Sequence, residues 1–243
     1  MTKIVRMIAA VGVLMVSQDA QAASWSLLTV SVDSQAVPKV VAAADKLMSS
    51  KVGKEFAGKL LLQAVVANGA DPATHAFVPI YDSAADREAF IEKLQADPAW
   101  SEFVKTTSSI SKPVSQTLYR TVKSWGDQVD TDHVWIAHAF QVNDPAGFQA
   151  AIESFMVSAT GKSFPGQVYL SEVVAGGISP ATHVISVGYA SEAEMESWTA
   201  TRNASADWAA YTAKARTVGK HLGATLSRDV KSWGPATLKE IGQ

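Results

Sequence analysis

Pro72-Ala73-Thr74-His75 recurs as Pro180-Ala181-Thr182-His183, and Val122-Lys123-Ser124-Trp125-Gly126 recurs as Val230-Lys231-Ser232-Trp233-Gly234. Both pairs lie 108 positions apart. The same offset aligns Gly53-Lys54-x-Phe56-x-Gly58 with Gly161-Lys162-x-Phe164-x-Gly166, Val65-Val66-Ala67 with Val173-Val174-Ala175, and Trp100 with Trp208. Self-similarity at a fixed period decides architecture before any local assignment. The expectation is two copies of one unit, 23–127 and 131–243, aligned without insertion and joined near Asp127 to Thr131.

Each copy carries the same alternation of patterns. Leu27 to Val32, matched by Val134 to Val142, is a short run rich in strand formers. Val37, Val40, Val41, Ala44, Leu47 and Met48 then repeat at the spacing of one buried helix face. In the second copy Asn143-Asp144 caps that helix, Pro145 occupies its first turn, and Phe148, Ile152, Phe155 and Met156 form its apolar stripe. Two strands follow, Lys59 to Ala67 and His75 to Tyr81, joined by the turn Asn68-Gly69-Ala70-Asp71-Pro72. Ser83 caps a second helix, and Ser191-Glu192-Ala193-Glu194 is its capping box in the other copy. Asp97-Pro98 breaks that helix, because proline starts a helical segment and cannot continue one. Ser115 to Ser124 closes the unit. The order β-α-β-β-α-β is that of a ferredoxin-like unit, with helices on one sheet face and the other bare. An uncovered apolar face needs a partner. The two copies are therefore expected to pack sheet to sheet, as a monomer with an internal pseudo-dimer around a central space, with further self-association left open.

Asp97-Pro98-Ala99-Trp100-x-x-Phe103 at the helix break, within this order of elements, resembles the dimeric α+β barrel superfamily, nearest to antibiotic-biosynthesis-monooxygenase-like and NIPSNAP-like domains. The second copy keeps the aromatics as Ser205-Ala206-Asp207-Trp208-x-x-Tyr211 and lacks the proline. The resemblance covers both copies. It implies an α+β fold, two tandem ferredoxin-like βαββαβ units forming an intramolecular dimeric α+β barrel. The superfamily it points to includes cofactor-free monooxygenases, haem-degrading enzymes, cyclases, isomerases and proteins without known activity.

The 243 residues carry a net charge of −2, with 47 % hydrophobic and 18 % charged residues. Such a composition excludes wholesale disorder and provides no basic footprint for nucleic acid or an anionic membrane. The absence of cysteine removes thiol catalysis, iron–sulfur clusters, zinc ribbons and disulfides. Lys3 and Arg6 precede the apolar run Met7 to Val16 and the tripeptide Ala20-Gln21-Ala22. That pattern predicts a signal peptide over 1–22 and a periplasmic or secreted protein, since a bilayer span needs ~20 apolar residues. No membrane attachment is expected after cleavage.

Five histidines supply the titratable candidates, and none shows metal-ligand spacing, so no metal or other cofactor is expected. His75 and His183 begin equivalent strands, as proton carriers or as parts of a turn motif. Tyr81 and Tyr189 lie six residues on, hence on the same strand face. Arg120 and Arg228 match across the repeat and hold either an anionic ligand or a structural carboxylate. His138 is the asymmetric residue, aligned at the 108 offset with Val30. Two functions follow. One is an enzyme acting without metal or flavin on a small organic molecule in the inter-sheet cavity, with His138, together with His75 or His183, as base, Arg120 or Arg228 as anion holder, and Tyr81 and Tyr189 as ligand contacts. The other is a non-catalytic module that binds a ligand or partner.

Overall fold

The computed structural model describes residues 22–126, 131–177 and 180–238. Residues 1–21 of the signal-peptide segment and the junction at 127–130 lie outside the described residues. The first copy runs β1 (Ser24–Val32), α1 (Val37–Ser49), β2 (Lys59–Ala67), β3 (His75–Tyr81), α2 (Ala84–Ala96), α3 (Pro98–Ser108) and β4 (Ser111–Trp125). The second runs β5 (Val134–Val142), α4 (Pro145–Met156), α5 (Ala159–Lys162), β6 (Val168–Gly176), β7 (His183–Tyr189), α6 (Glu192–Asn203), α7 (Ala206–Val218) and β8 (Gly219–Trp233). The break at Asp97-Pro98 falls between α2 and α3. Ser205, whose hydroxyl caps α7, makes the equivalent break without proline.

The two sheets do more than face each other. They close edge to edge into one barrel of order β1-β3-β2-β8-β5-β7-β6-β4, every neighbour antiparallel. Closure leaves no unpaired sheet edge. The seams are β2–β8 and β4–β6, and they are equivalent: Leu60 pairs with Trp233 as Val168 pairs with Trp125. Here the repeated pentapeptide finds its physical cause. Gly126 and Gly234 have φ of +107° and +100°, and a Cβ on either would lie about 2 Å from the carbonyl oxygen of Gly166 or Gly58. The lysine of each pentapeptide crosses to the other copy, Lys123 to Glu153 of α4 at 2.7 Å and Lys231 to Asp45 of α1 at 2.7 Å. Repetition of Val-Lys-Ser-Trp-Gly is therefore the signature of the junction between copies.

Strand alternation makes two apolar layers. Trp25, Leu27, Leu61, Val78, Tyr119 and Trp135 point into the lumen, whose lining contains no helical residue. On the outer face Val30, Leu62 and Phe77 meet Val40 and Ala44 of α1, while Leu170 and Ile185 meet Phe148 and Ile152 of α4. Phe148 and Leu62 are fully buried, and burial of such a side chain is worth ~1.5–3 kcal/mol.

The structure corrects the gap-free alignment. Val30 pairs with His75, and Phe140 pairs with His183, so β1 and β5 correspond at an offset of 110, matching Trp25 with Trp135. The connection from Val32 to Val37 includes a turn of 3-10 helix, Ser34–Ala36, that the step from Val142 to Pro145 lacks. The two residues gained before β5 are lost again before α4. The counterpart of His138 is consequently Leu28, and not Val30.

Candidate functional site

The barrel lumen, about 340 Å³, is lined by none of His75, His138, His183, Tyr81, Tyr189, Arg120 and Arg228. Each sits on the opposite strand parity from the lumen residues, so the side chains expected to face the inter-sheet cavity do not line it. His138 and Tyr189 instead line a second cavity of about 290 Å³, between the outer face of the second copy's sheet and helices α4, α6 and α7.

In that cavity His138, central in β5, meets His221 of β8, with His138 Nδ1 to His221 Nε2 at 3.2 Å. A β-bulge makes the meeting possible. Ala139 pairs with Gly223 and Phe140 with His221, so Leu222 has no residue opposite it, and the parity of β8 flips before His221. Burial, then the His221 and Arg202 charges, push the His138 imidazole down to about 4, so it is neutral at physiological pH. With Nδ1 engaged, Nε2 is its one remaining ring nitrogen.

Arg202 ends α6 and Trp208 begins α7, so the helix break seen in the sequence sets their geometry. The Arg202 guanidinium carbon lies 4.2 Å from the centre of the Trp208 ring. Its Nε is buried without a hydrogen-bond partner, and among the described residues no carboxylate forms an ion pair with it. An unpaired buried donor costs ~1–3 kcal/mol and is normally satisfied. Aromatic rings complete the wall: Trp208 and Tyr211 at 4.9 Å, Phe155 against both, and Phe164 between Tyr189 and Trp198. Burial pushes the Tyr189 and Tyr211 phenols up to about 12, leaving both protonated.

The other sequence candidates are accounted for by structure. Thr74 Oγ1 accepts from Val32 N at 2.8 Å and contacts His75 Nδ1 at 3.0 Å; Thr182 repeats both contacts with Val142 and His183. The Pro-Ala-Thr-His motif thus ties the end of each first strand to the third, with the histidine ring held by its neighbour and its protonation disfavoured by burial. Tyr81 packs against Phe56 and Phe90 in the first copy. Arg120 and Arg228 are exposed and pair with Glu172 and Glu192. Reading residue by residue missed Arg202, His221, Trp208 and Tyr211. The repeat held the signal for two of them, since Arg202 aligns with Leu94 and His221 with Pro113.

Among the described residues there is no cluster of three metal-ligating side chains and no helix long and apolar enough to cross a membrane. The fold defines the class: an intramolecular dimeric α+β barrel of two tandem ferredoxin-like units, with one polar aromatic pocket under the helices of its second half. No family model and no curated protein sequence matches the chain. Solved structures do. A proposed monooxygenase of Lactobacillus acidophilus is 12 % identical with a TM-score of 0.61, covering 88 % of this chain and 97 % of its own. An anthrone oxidase-like protein is 10 % identical with a TM-score of 0.57, over 88 % and 93 %. A haem-binding protein from Thermus thermophilus is 9 % identical with a TM-score of 0.53, over 87 % and 92 %. These similarities establish the fold.

Proposed function

We propose that the pocket of the second copy binds a small planar aromatic molecule bearing an acidic oxygen, and that the protein is a monooxygenase-like enzyme working without flavin or metal. The observation carrying this reading is Arg202, a half-buried cation whose buried Nε is unpaired, inside an aromatic cavity that also holds neutral His138 in contact with His221. The first copy has Leu94, Leu28 and Pro113 at those places, so the fold does not require the polar set. His138 takes a proton from an acidic CH₂ between aromatic rings. The resulting anion, delocalised onto an oxygen held by Arg202, supplies electrons to O₂. The CH₂ becomes a carbonyl, taking one oxygen atom, and the other leaves as water. Fold-level similarity to an anthrone oxidase-like protein makes anthrone a suitable first probe.

A second reading is binding without turnover, favoured by the depressed basicity of His138, since an imidazole near 4 is a weak base. The experiment is oxygen consumption with anthrone, alongside a thermal-shift screen of aromatic acids, phenols, quinones and haemin. A ligand at ~100 times its Kd adds about 2.7 kcal/mol of stability. Oxygen uptake lost in His138→Leu supports the enzyme. A shift without uptake supports the binding module. A Soret band that disappears with His138 would replace the cofactor-free reading with haem bound through Nε2, the nitrogen left free by the His221 contact. The proposal also takes the mature chain to be exported, beginning at Ala23, on the strength of the Met7 to Val16 run and Ala20-Gln21-Ala22. Intact mass of the protein from a periplasmic extract tests that.

A further inference from the structure

Eight-stranded barrels commonly fill their lumen with side chains. This one does not. At matched lumen positions Ala137, Ser186 and Ser227 of the second copy stand where the first has Leu27, Val78 and Tyr119, although Trp135 matches Trp25 and Tyr169 matches Leu61. Small residues of both copies, among them Ala76, Ser115, Thr117, Ala137 and Ser186, alternate with the large ones and leave about 340 Å³. The cavity runs the length of the barrel, from Asn68 and Asp71 at the β2–β3 turn to Ala22 and Leu238 at the opposite end.

The lining is also chemically mixed. Aliphatic and aromatic side chains, with Trp25 stacked on Tyr119 at 4.1 Å, alternate with hydroxyls from both copies, Thr29, Ser115 and Thr117 in the first and Ser186, Thr225 and Ser227 in the second. Lumen-lining Gln63 donates to the Asp229 carboxyl at 2.9 Å and accepts from Ser227 at 3.1 Å. The buried acid beside the lumen repels an anion, and among the described lining residues the one cation, Lys123, is already paired with Glu153.

We propose that the barrel lumen is a second binding site, taking an uncharged, elongated apolar molecule that carries a hydroxyl or carbonyl group. The two cavities then select opposite chemistries, anionic aromatics under the second copy's helices and neutral amphiphiles within the barrel. The lumen argument does not depend on the reading of the helix-side pocket.

N-phenyl-1-naphthylamine, a neutral fluorophore, is the probe. It is expected to bind the mature protein and receive energy from Trp25 and Trp135. Ala137→Phe and Ser186→Leu each place a larger side chain in the lumen. Either is expected to weaken probe binding by about tenfold or more, which corresponds to 1.4 kcal/mol. Arg202→Leu is expected to leave probe binding unchanged. Should a filled variant not fold, the Trp25→Phe/Trp135→Phe pair provides the independent reading: it removes most of the energy transfer, whereas Trp198→Phe/Trp208→Phe does not. Absence of probe binding, binding that survives in a folded filled variant, or transfer that tracks Trp198 and Trp208 overturns the proposal. Loss of aromatic-acid binding in Arg202→Leu with the probe retained separates the two sites.

Discussion

Arg202→Leu replaces the guanidinium with the residue that the first copy carries at the matching position, Leu94. Two terms of similar size set its effect on folding. Loss of the contact over Trp208, at 4.2 Å, removes ~0.5–2 kcal/mol. Removal of a buried Nε that has no acceptor returns ~1–3 kcal/mol. These oppose each other, and the net change in unfolding free energy is expected to stay within about 1 kcal/mol. Binding has no such compensation. A charge-assisted hydrogen bond is worth ~1.5–3 kcal/mol, so the Kd for an aromatic carboxylate should rise roughly 10- to 150-fold. Urea unfolding followed by far-UV circular dichroism gives the first quantity, and titration calorimetry gives the second. A variant destabilised by ~3 kcal/mol or more that still binds with native affinity would refute the reasoning, because Arg202 would then be a structural strut.

Further outcomes follow from the same geometry. His138 has a folded-state value of about 4 against about 6.5 in an unfolded chain, so only the unfolded chain takes up a proton between those values. Its contribution to stability is complete above pH 6.5 and declines as pH falls toward 4. Wild-type Tm should therefore drop more steeply across that window than the Tm of His138→Leu, and equal slopes would contradict the burial of His138 against His221 and Arg202. Arg120→Ala and Arg228→Ala remove exposed ion pairs, so each should cost less than ~1 kcal/mol and leave ligand affinity unchanged. A tenfold affinity loss in either would return that residue to the site. Gly126→Ala forces a Cβ to 2.2 Å from the Gly166 oxygen at a φ of +107° and should destabilise by more than ~1 kcal/mol in urea unfolding. A neutral result there would mean that the seam tolerates widening.

Strand and helix positions were legible because period-two and period-3.6 patterns survive in each copy, as from His75 to Tyr81 and from Val37 to Met48. The repeat told which residues correspond, but two compensating changes hid inside one offset: the gain before β5 and the shortened turn after Val142. Neither leaves a trace in the matched motifs on either side. Sidedness was less accessible still. In a closed barrel with helices outside, both strand faces are buried, so Leu27 in the lumen and Leu28 under the helices read alike. Alternation correctly put His75 with Tyr81 and His183 with Tyr189, yet it could not say which layer they join. The His138–His221 contact depends on a bulge at Leu222, and no pattern in a single sequence marks that. Arg202 was recoverable, because a residue charged in one copy and aliphatic in the other is visible by alignment alone.

Fusion of two copies explains why the pocket can tolerate such a residue. In a barrel made from two identical subunits, any cost at one site is incurred twice, because symmetry repeats the side chain. Within one chain the halves diverge. The first copy packs Leu28 with Val30, Val40 and Phe103 in a continuous apolar cluster, while the second puts His138, His221 and Arg202 in the corresponding layer. The penalty of ~1–3 kcal/mol for an unpaired buried donor then falls once on a barrel whose seams, β2–β8 and β4–β6, tie both halves together. The same divergence reaches the lumen, where Ala137, Ser186 and Ser227 stand in place of Leu27, Val78 and Tyr119. One half provides the packed scaffold, and the other gives up packing at two places where a ligand can restore it.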